Sequence, residues 1–151
     1  MKNLFEPAAA QELQTRLSQL KPDSPRLWGK MSPQQMLAHC SAGMEMALGD
    51  KVIPPSPLPL RLLGRIIKPI VMGNDKPIRR NAPTAKELVI SSQPDLDTER
   101  ERLAQMITRF VTSGAPACTR NPHPFFGKLS PDEWSILVYK HLDHHFRQFS
   151  V

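Results

Sequence analysis

Leu13, Leu17 and Leu20 recur at steps of four and three behind Pro7 and an alanine-rich turn, a spacing that predicts a helix over residues 7–20. A turn-rich stretch then leads into Ser32-Pro33-Gln34-Gln35. There serine is an N-cap, proline suits the first helical position and the second glutamine closes a capping box. The second helix should run from this point to about Leu48, where Gly49 and Asp50 end it. After Pro94, Leu103, Met106, Ile107, Phe110 and Val111 fall at helical spacing, with acidic residues in the opening turns to favour the helix dipole, and Gly114 stops the run. A last helix starts at Pro131 and carries Trp134, Leu137, Val138, His141 and His145 along one stripe.

The start of the second helix is echoed at the start of the last. Gly29-Lys30-Met31-Ser32-Pro33 reappears as Gly127-Lys128-Leu129-Ser130-Pro131, with Glu133 completing the second box. We read this as the same capping chemistry used twice rather than as a structural repeat. Between the second and third bundle helices, residues 50–93 hold seven of the sixteen prolines. Long regular elements are not expected there. Leu60 to Met72 is predicted as a short helix ending near Pro69, and Glu87 to Ile90 as a brief extended piece. The pattern as a whole predicts an all-α four-helix bundle with a long proline-rich crossover between helices 2 and 3.

Composition narrows the class. A chain of 151 residues with 40% hydrophobic and 23% charged content suits one globular domain spanning 1–151. Cys40 and Cys118 are too few for a disulfide framework, and the amphipathic N-terminus lacks the apolar core of a leader, so a cytoplasmic setting is expected. The longest apolar run, Leu58 to Met72, is interrupted by Arg61, Arg65 and Lys68 and falls short of the roughly 20 apolar residues of a membrane span. The net charge of +6 is concentrated, because residues 51–80 hold Lys51, Arg61, Arg65, Lys68, Lys76, Arg79 and Arg80 against Asp75 alone. Nothing in the chain has the form of a groove-reading motif, so nucleic acid is not the expected partner.

The candidate chemistry lies in the histidines. His141 and His145 are four residues apart, so they share a helix face with Cβ atoms about 5–6 Å apart, close enough for both imidazoles to meet one ion. A third ligand should come from another helix, and His39 is the only histidine of the second one, with Met36 and Gly43 on its apolar side. Gly43, one turn on, leaves room. Three neutral imidazoles leave coordination positions open for water or substrate, as a catalytic metal site requires. Zinc or nickel is the first expectation, although ligand type alone does not choose among first-row metals. His144, three residues after His141, is an alternative to His145.

KHLDHHFRQF, residues 140–149, together with LWGKMSPQQMLAHC, residues 27–40, resembles the DinB-like superfamily, whose members end in a His-x-x-His-His turn followed by Gln. The segment 123–149 looks like a branch of small bacterial proteins of unknown function. The resemblance implies an antiparallel bundle with one histidine on the second helix and two on the last around a divalent metal, here His39, His141 and His145. It also implies enzymes, thiol-dependent transferases and isomerases, in which the metal holds a low-molecular-weight thiol. This chain reads His-His-Phe-Arg-Gln where the commoner ending is His-His-Arg-Gly-Gln, so no role for Arg147 is carried over.

Around these ligands, Gln148 returns to the face of His141 and is a candidate to bond a ligand or a metal-bound water. His123, between two prolines, is a candidate acid or base at a cavity mouth. Cys40, Trp28 and Trp134 read as core. The expected function is a metal-dependent transferase or hydrolase acting on an unidentified small molecule. The alternative is a binding module in which Arg61, Arg65 and Lys68, in the basic 51–80 segment, form one charged helical face for an anionic partner, although a merely solvated face is the plainer expectation for these residues. The apolar faces of such a bundle also allow a homodimer.

Overall fold

A computed structural model describes all 151 residues. The chain forms five α-helices and no β-strand: α1 (Pro7–Gln19), α2 (Pro33–Leu48), α3 (Leu58–Met72), α4 (Leu96–Ser113) and α5 (Pro131–Gln148). Two single 3-10 turns, Lys86–Leu88 and Ala115–Ala117, interrupt the connections. No helix is long and apolar enough to cross a membrane.

Local chemistry sets most of these boundaries. The Ser32 hydroxyl accepts the Gln35 amide while the Gln35 side chain accepts the Ser32 amide, and Pro33 occupies the first turn. Ser130 and Glu133 repeat this exchange at α5. At α4 the Asp95 carboxylate takes the Thr98 amide. Gly49 ends α2 in the left-handed region at φ 85°, where an L side chain would be strained and a Cβ would press on Thr119.

Helices α1, α2, α4 and α5 share one core, with α2 packed on α4 and α5, and α1 on the same two partners. Leu13 and Leu17 of α1 meet Leu103, Ile107 and Phe110 of α4 and Trp134, Leu142 and Phe146 of α5 in that core, each at most 1% exposed. Each such side chain contributes about 1.5–3 kcal/mol by leaving water. Phe5 stacks on Phe110 at 5.2 Å between centroids. A partly buried ion pair, Arg16 to Asp143 at 2.7 Å, ties α1 to α5.

The crossover departs from expectation. Instead of a short helix, α3 runs for 15 residues, because Pro57 and Pro59 sit at its start, where an amide has no helical partner to lose, and Pro69 removes only one bond near its end. The expected extended piece at 87–90 is instead occupied by the 3-10 turn Lys86–Leu88. Helix α3 rests on α5 and on the loop before it. Gly64 makes this approach feasible, since a Cβ there would lie 2.0 Å from the Phe125 carbonyl oxygen. Lys68 donates to the Lys128 carbonyl and pairs with Glu133 at 2.8 Å. Lys140 on α5 donates to the carbonyls of Val71 and Asn74, closing the far end of α3. The cationic side of α3 is therefore not the solvated face expected of it: Lys68 is engaged, and Arg61 is half-buried.

Candidate metal centre

Helix α2 brings His39 to the face of α5 that carries His141 and His145. One nitrogen of each of these three rings lies within 4.8 Å of the others. The rings are mutually edge-on, with centroids 4.9 Å apart for His39 and His141, 4.8 Å for His39 and His145, and 4.7 Å for His141 and His145. Gly43 makes the close approach of the two helices feasible, since a Cβ on it would stand 3.1 Å from Cε1 and 3.2 Å from Nδ1 of His141.

Hydrogen bonding outside the trio fixes which nitrogens face inward. His39 Nδ1 is 2.8 Å from the Leu88 carbonyl, an atom that only accepts, so Nδ1 carries the proton and Nε2 presents its lone pair. The Gln148 amide nitrogen donates to the Trp28 carbonyl at 2.7 Å, which orients the Gln148 oxygen to receive Nδ1–H of His145 at 2.9 Å. His145 Nε2 is thereby also unprotonated. His39 Nε2 and His141 Nε2 are 3.0 Å apart. One proton on His141 would bridge that pair and leave His145 Nε2 with no partner in the protein, whereas a single cation satisfies all three lone pairs. Two nitrogens on one tetrahedral zinc, each at ~2.0–2.1 Å, sit about 3.4 Å apart; the 3.0 Å pair is close to that, while the widest separation in the trio, up to 4.8 Å, would have to close around an ion.

Burial keeps these imidazoles neutral. It pushes His39 below its ordinary range and His145 down to about 3. His141 is lowered well below the ordinary value by burial and then by the neighbouring imidazoles of His145 and His39. Neutral imidazole is the form that binds metal.

The remaining candidates fall around this trio in different ways. His144 is not part of it, and its ring packs on Trp28 at 5.4 Å. Trp28, expected in the core, is only half-buried, with the Arg80 guanidinium 4.2 Å over its ring. His123 packs against Trp134 at 5.5 Å with the rings tilted, and its Nδ1 accepts the amides of Phe125 and Phe126. Burial pushes His123 down to about 4. Trp134 is buried core, as is Cys40, whose thiol burial raises and whose Sγ lies 3.6 Å from Met36 Sδ. Of the basic residues singled out on α3, Arg65 is exposed, Arg61 half-buried and Lys68 bonded to Glu133. Two surface hollows, of 660 Å³ beside Gln14 and Thr108 and of 460 Å³ beside Glu12 and Lys140, contain no histidine.

A family model matches residues 5–151. The chain belongs to the family described as protein of unknown function (DUF1569). Comparison with curated proteins and with solved structures finds no match. The family's match covers both helices that carry the histidine trio, so the centre lies within the family domain and not on an appendage.

Two groups at the site escaped sequence reasoning. The Leu88 carbonyl and the Trp28 carbonyl belong to the backbone, which every residue carries, so no residue type flags them. Gln148 was flagged by its spacing from His141, yet the histidine it bonds is His145. Replacing Gln148 with alanine frees the His145 ring, and metal affinity is expected to fall roughly 10–100-fold, the range for outer partners of a metal ligand. Competition titration against a chromophoric chelator measures it, and an unchanged affinity would show that Gln148 does not orient the ring.

The low values of His123 and His145 also set an acid response. Both pKa values lie below the ordinary 6.5 of an unfolded histidine, so below that pH the unfolded chain takes up protons that the native chain refuses. Stability is therefore complete above about pH 7 and declines as pH falls, by about 2 kcal/mol per histidine at about pH 5. Urea titrations of chelator-treated protein across this range should show the decline, and a His123→Gln variant should show a shallower one.

Proposed function

We propose that His39, His141 and His145 hold one divalent metal ion, zinc or nickel, at the centre of a DinB-like antiparallel four-helix bundle formed by the whole chain as one domain. The observation that carries this reading is the convergence of three neutral imidazoles, two of which have their Nε2 atoms freed by outward hydrogen bonds, from His39 to Leu88 and from His145 to Gln148. The sharing of one core by α1, α2, α4 and α5 supports the bundle. His145 is preferred to His144 as a ligand because the His144 ring lies against Trp28.

With three protein donors the coordination shell stays open for a small molecule. A divalent ion held there supplies the Lewis acidity that lowers the pKa of a small thiol or a water molecule to near neutrality. The chain's own part is to present three neutral nitrogens, to fix two of the rings through Leu88 and Gln148, and to keep the site dry enough that the imidazoles stay unprotonated. We read the activity as transfer or hydrolysis on a small-molecule substrate, with a low-molecular-weight thiol as co-substrate. Two unpaired cysteines favour a cytoplasmic setting, where such thiols are abundant.

Elemental analysis of the purified chain, followed by titration of the chelator-treated protein with zinc and nickel, tests the reading. About one ion per chain is expected. A protein that carries no ion and takes up neither metal sinks it. Assay of candidate electrophiles with and without small thiols then separates transferase from hydrolase chemistry.

A further inference from the structure

Helix α3 is amphipathic, but it is seated the wrong way round for a helix whose apolar side belongs to the core. Leu58, Leu62, Ile66 and Ile70 follow one another at four-residue steps, and with Leu63 they form a single arc. Each of the five is between 48% and 69% exposed. The opposite side carries buried Gly64 and Met72 with half-buried Arg61 and Lys68. An outward arc of this size on a folded chain marks a surface that meets a partner.

Several contacts hold the helix in this orientation. Gly64 is pressed onto the Phe125 carbonyl, Lys68 is bonded to Glu133 and the Lys128 carbonyl, and Lys140 grips the Val71 and Asn74 carbonyls. Turning the apolar arc inward would break all three attachments, leaving Lys140 without its carbonyl partners and Glu133 without its cation.

Charge selects the partner. From Lys51 to Lys86 the chain has eight basic residues and one acid, Asp75. Arg65 lies at the edge of the arc, exposed, and neither it nor Arg61 has a carboxylate partner. A second copy of this chain would bring the same apolar arc edged by the same cations, and its 51–74 segment contains no carboxylate to meet them. An anionic lipid surface supplies both what the arc lacks and what the cations lack. Apolar side chains then enter the boundary between headgroups and acyl chains while arginines stay at headgroup level. The cytoplasmic leaflet carries such lipids.

We propose that α3 docks the protein on an anionic membrane surface, with Leu58, Leu62, Leu63, Ile66 and Ile70 inserted into the interface and Arg65, at the exposed edge of the arc, meeting the lipid headgroups. Docking of this kind does not depend on the histidine centre, so the two readings stand or fall separately.

Flotation of the full chain with vesicles tests the proposal, using phosphatidylcholine alone or mixed with phosphatidylserine, at low and high salt. The chain should float with the phosphatidylserine vesicles at low salt and be largely released by high salt. A Leu62→Glu, Ile66→Glu double variant should bind more than about tenfold more weakly, while its circular dichroism and melting stay like wild type because both positions face solvent. Arg65→Glu should weaken binding to the anionic vesicles as well. Wild-type protein that floats with neither vesicle, or equally with both at any salt, overturns the proposal. So does a double variant that floats like wild type. Sedimentation equilibrium covers the remaining occupant: a wild-type dimer dissolved by the double substitution, without vesicle binding, assigns the arc to a second copy and overturns lipid docking.

Discussion

Replacing His141 with alanine is expected to remove tight metal binding while leaving the helical content intact. His141 stands between the other two, with Nε2 3.0 Å from that of His39 and its ring 4.7 Å from that of His145. Outer partners of metal ligands are worth 10–100-fold in affinity, so loss of a ligand itself should cost more than about 100-fold. The comparison that gives the result its force is His144→Ala. That ring packs on Trp28 outside the trio, and its removal should leave affinity within a few fold of wild type. Elemental analysis and metal titration of both variants beside wild type read the difference. Equal metal content in His141→Ala and wild type would dismantle the proposed centre.

Trp134→Ala should give the largest loss of stability. The side chain is 1% exposed, lies in the shared core and packs against His123. Truncating a buried tryptophan to alanine costs about 3–5 kcal/mol, through lost transfer energy and the cavity left behind. For a chain of this size each kcal/mol lowers the melting temperature by about 2–4 °C, so a drop on the order of 10 °C is expected. Trp134→Phe separates packing from hydrogen bonding. The indole N–H has no partner in the protein, so phenylalanine loses volume but no bond and should recover most of the deficit. A Trp134→Ala melt within about 2 °C of wild type would mean that the residue is not core.

Much of the helical framework was legible because its signals are local. Ser32-Pro33 with Gln35, and Ser130-Pro131 with Glu133, mark the starts of α2 and α5 in the sequence and form the expected reciprocal bonds in the structure. Leu13 and Leu17 of α1 and the apolar positions of α4 likewise fall inside the observed helices, while Leu20 caps the end of α1. The histidine spacing on α5 and the lone histidine of α2 identified the residues that converge. Helix α3 was harder to read for two physical reasons. Prolines count against a helix only where they remove a needed donor, and those at 57 and 59 stand where none is needed. Periodicity also shows that a helix has two faces without saying which meets protein. For α3 the answer depends on Glu133, Lys140 and the Phe125 carbonyl, each distant in sequence. The same holds for the Leu88 carbonyl, 49 residues from the histidine it orients.

The trio joins parts of the chain that are far apart in sequence: His39 and His141 are separated by 102 residues. An ion shared by them, as proposed, would act as a removable staple. A permanent cross-link closing a loop of that length restricts the unfolded chain by about 4–5 kcal/mol in the chain-entropy description. Chelation should therefore loosen the molecule as a whole, with α1, α3 and α4 inside or beside the stapled loop losing protection together with the centre itself.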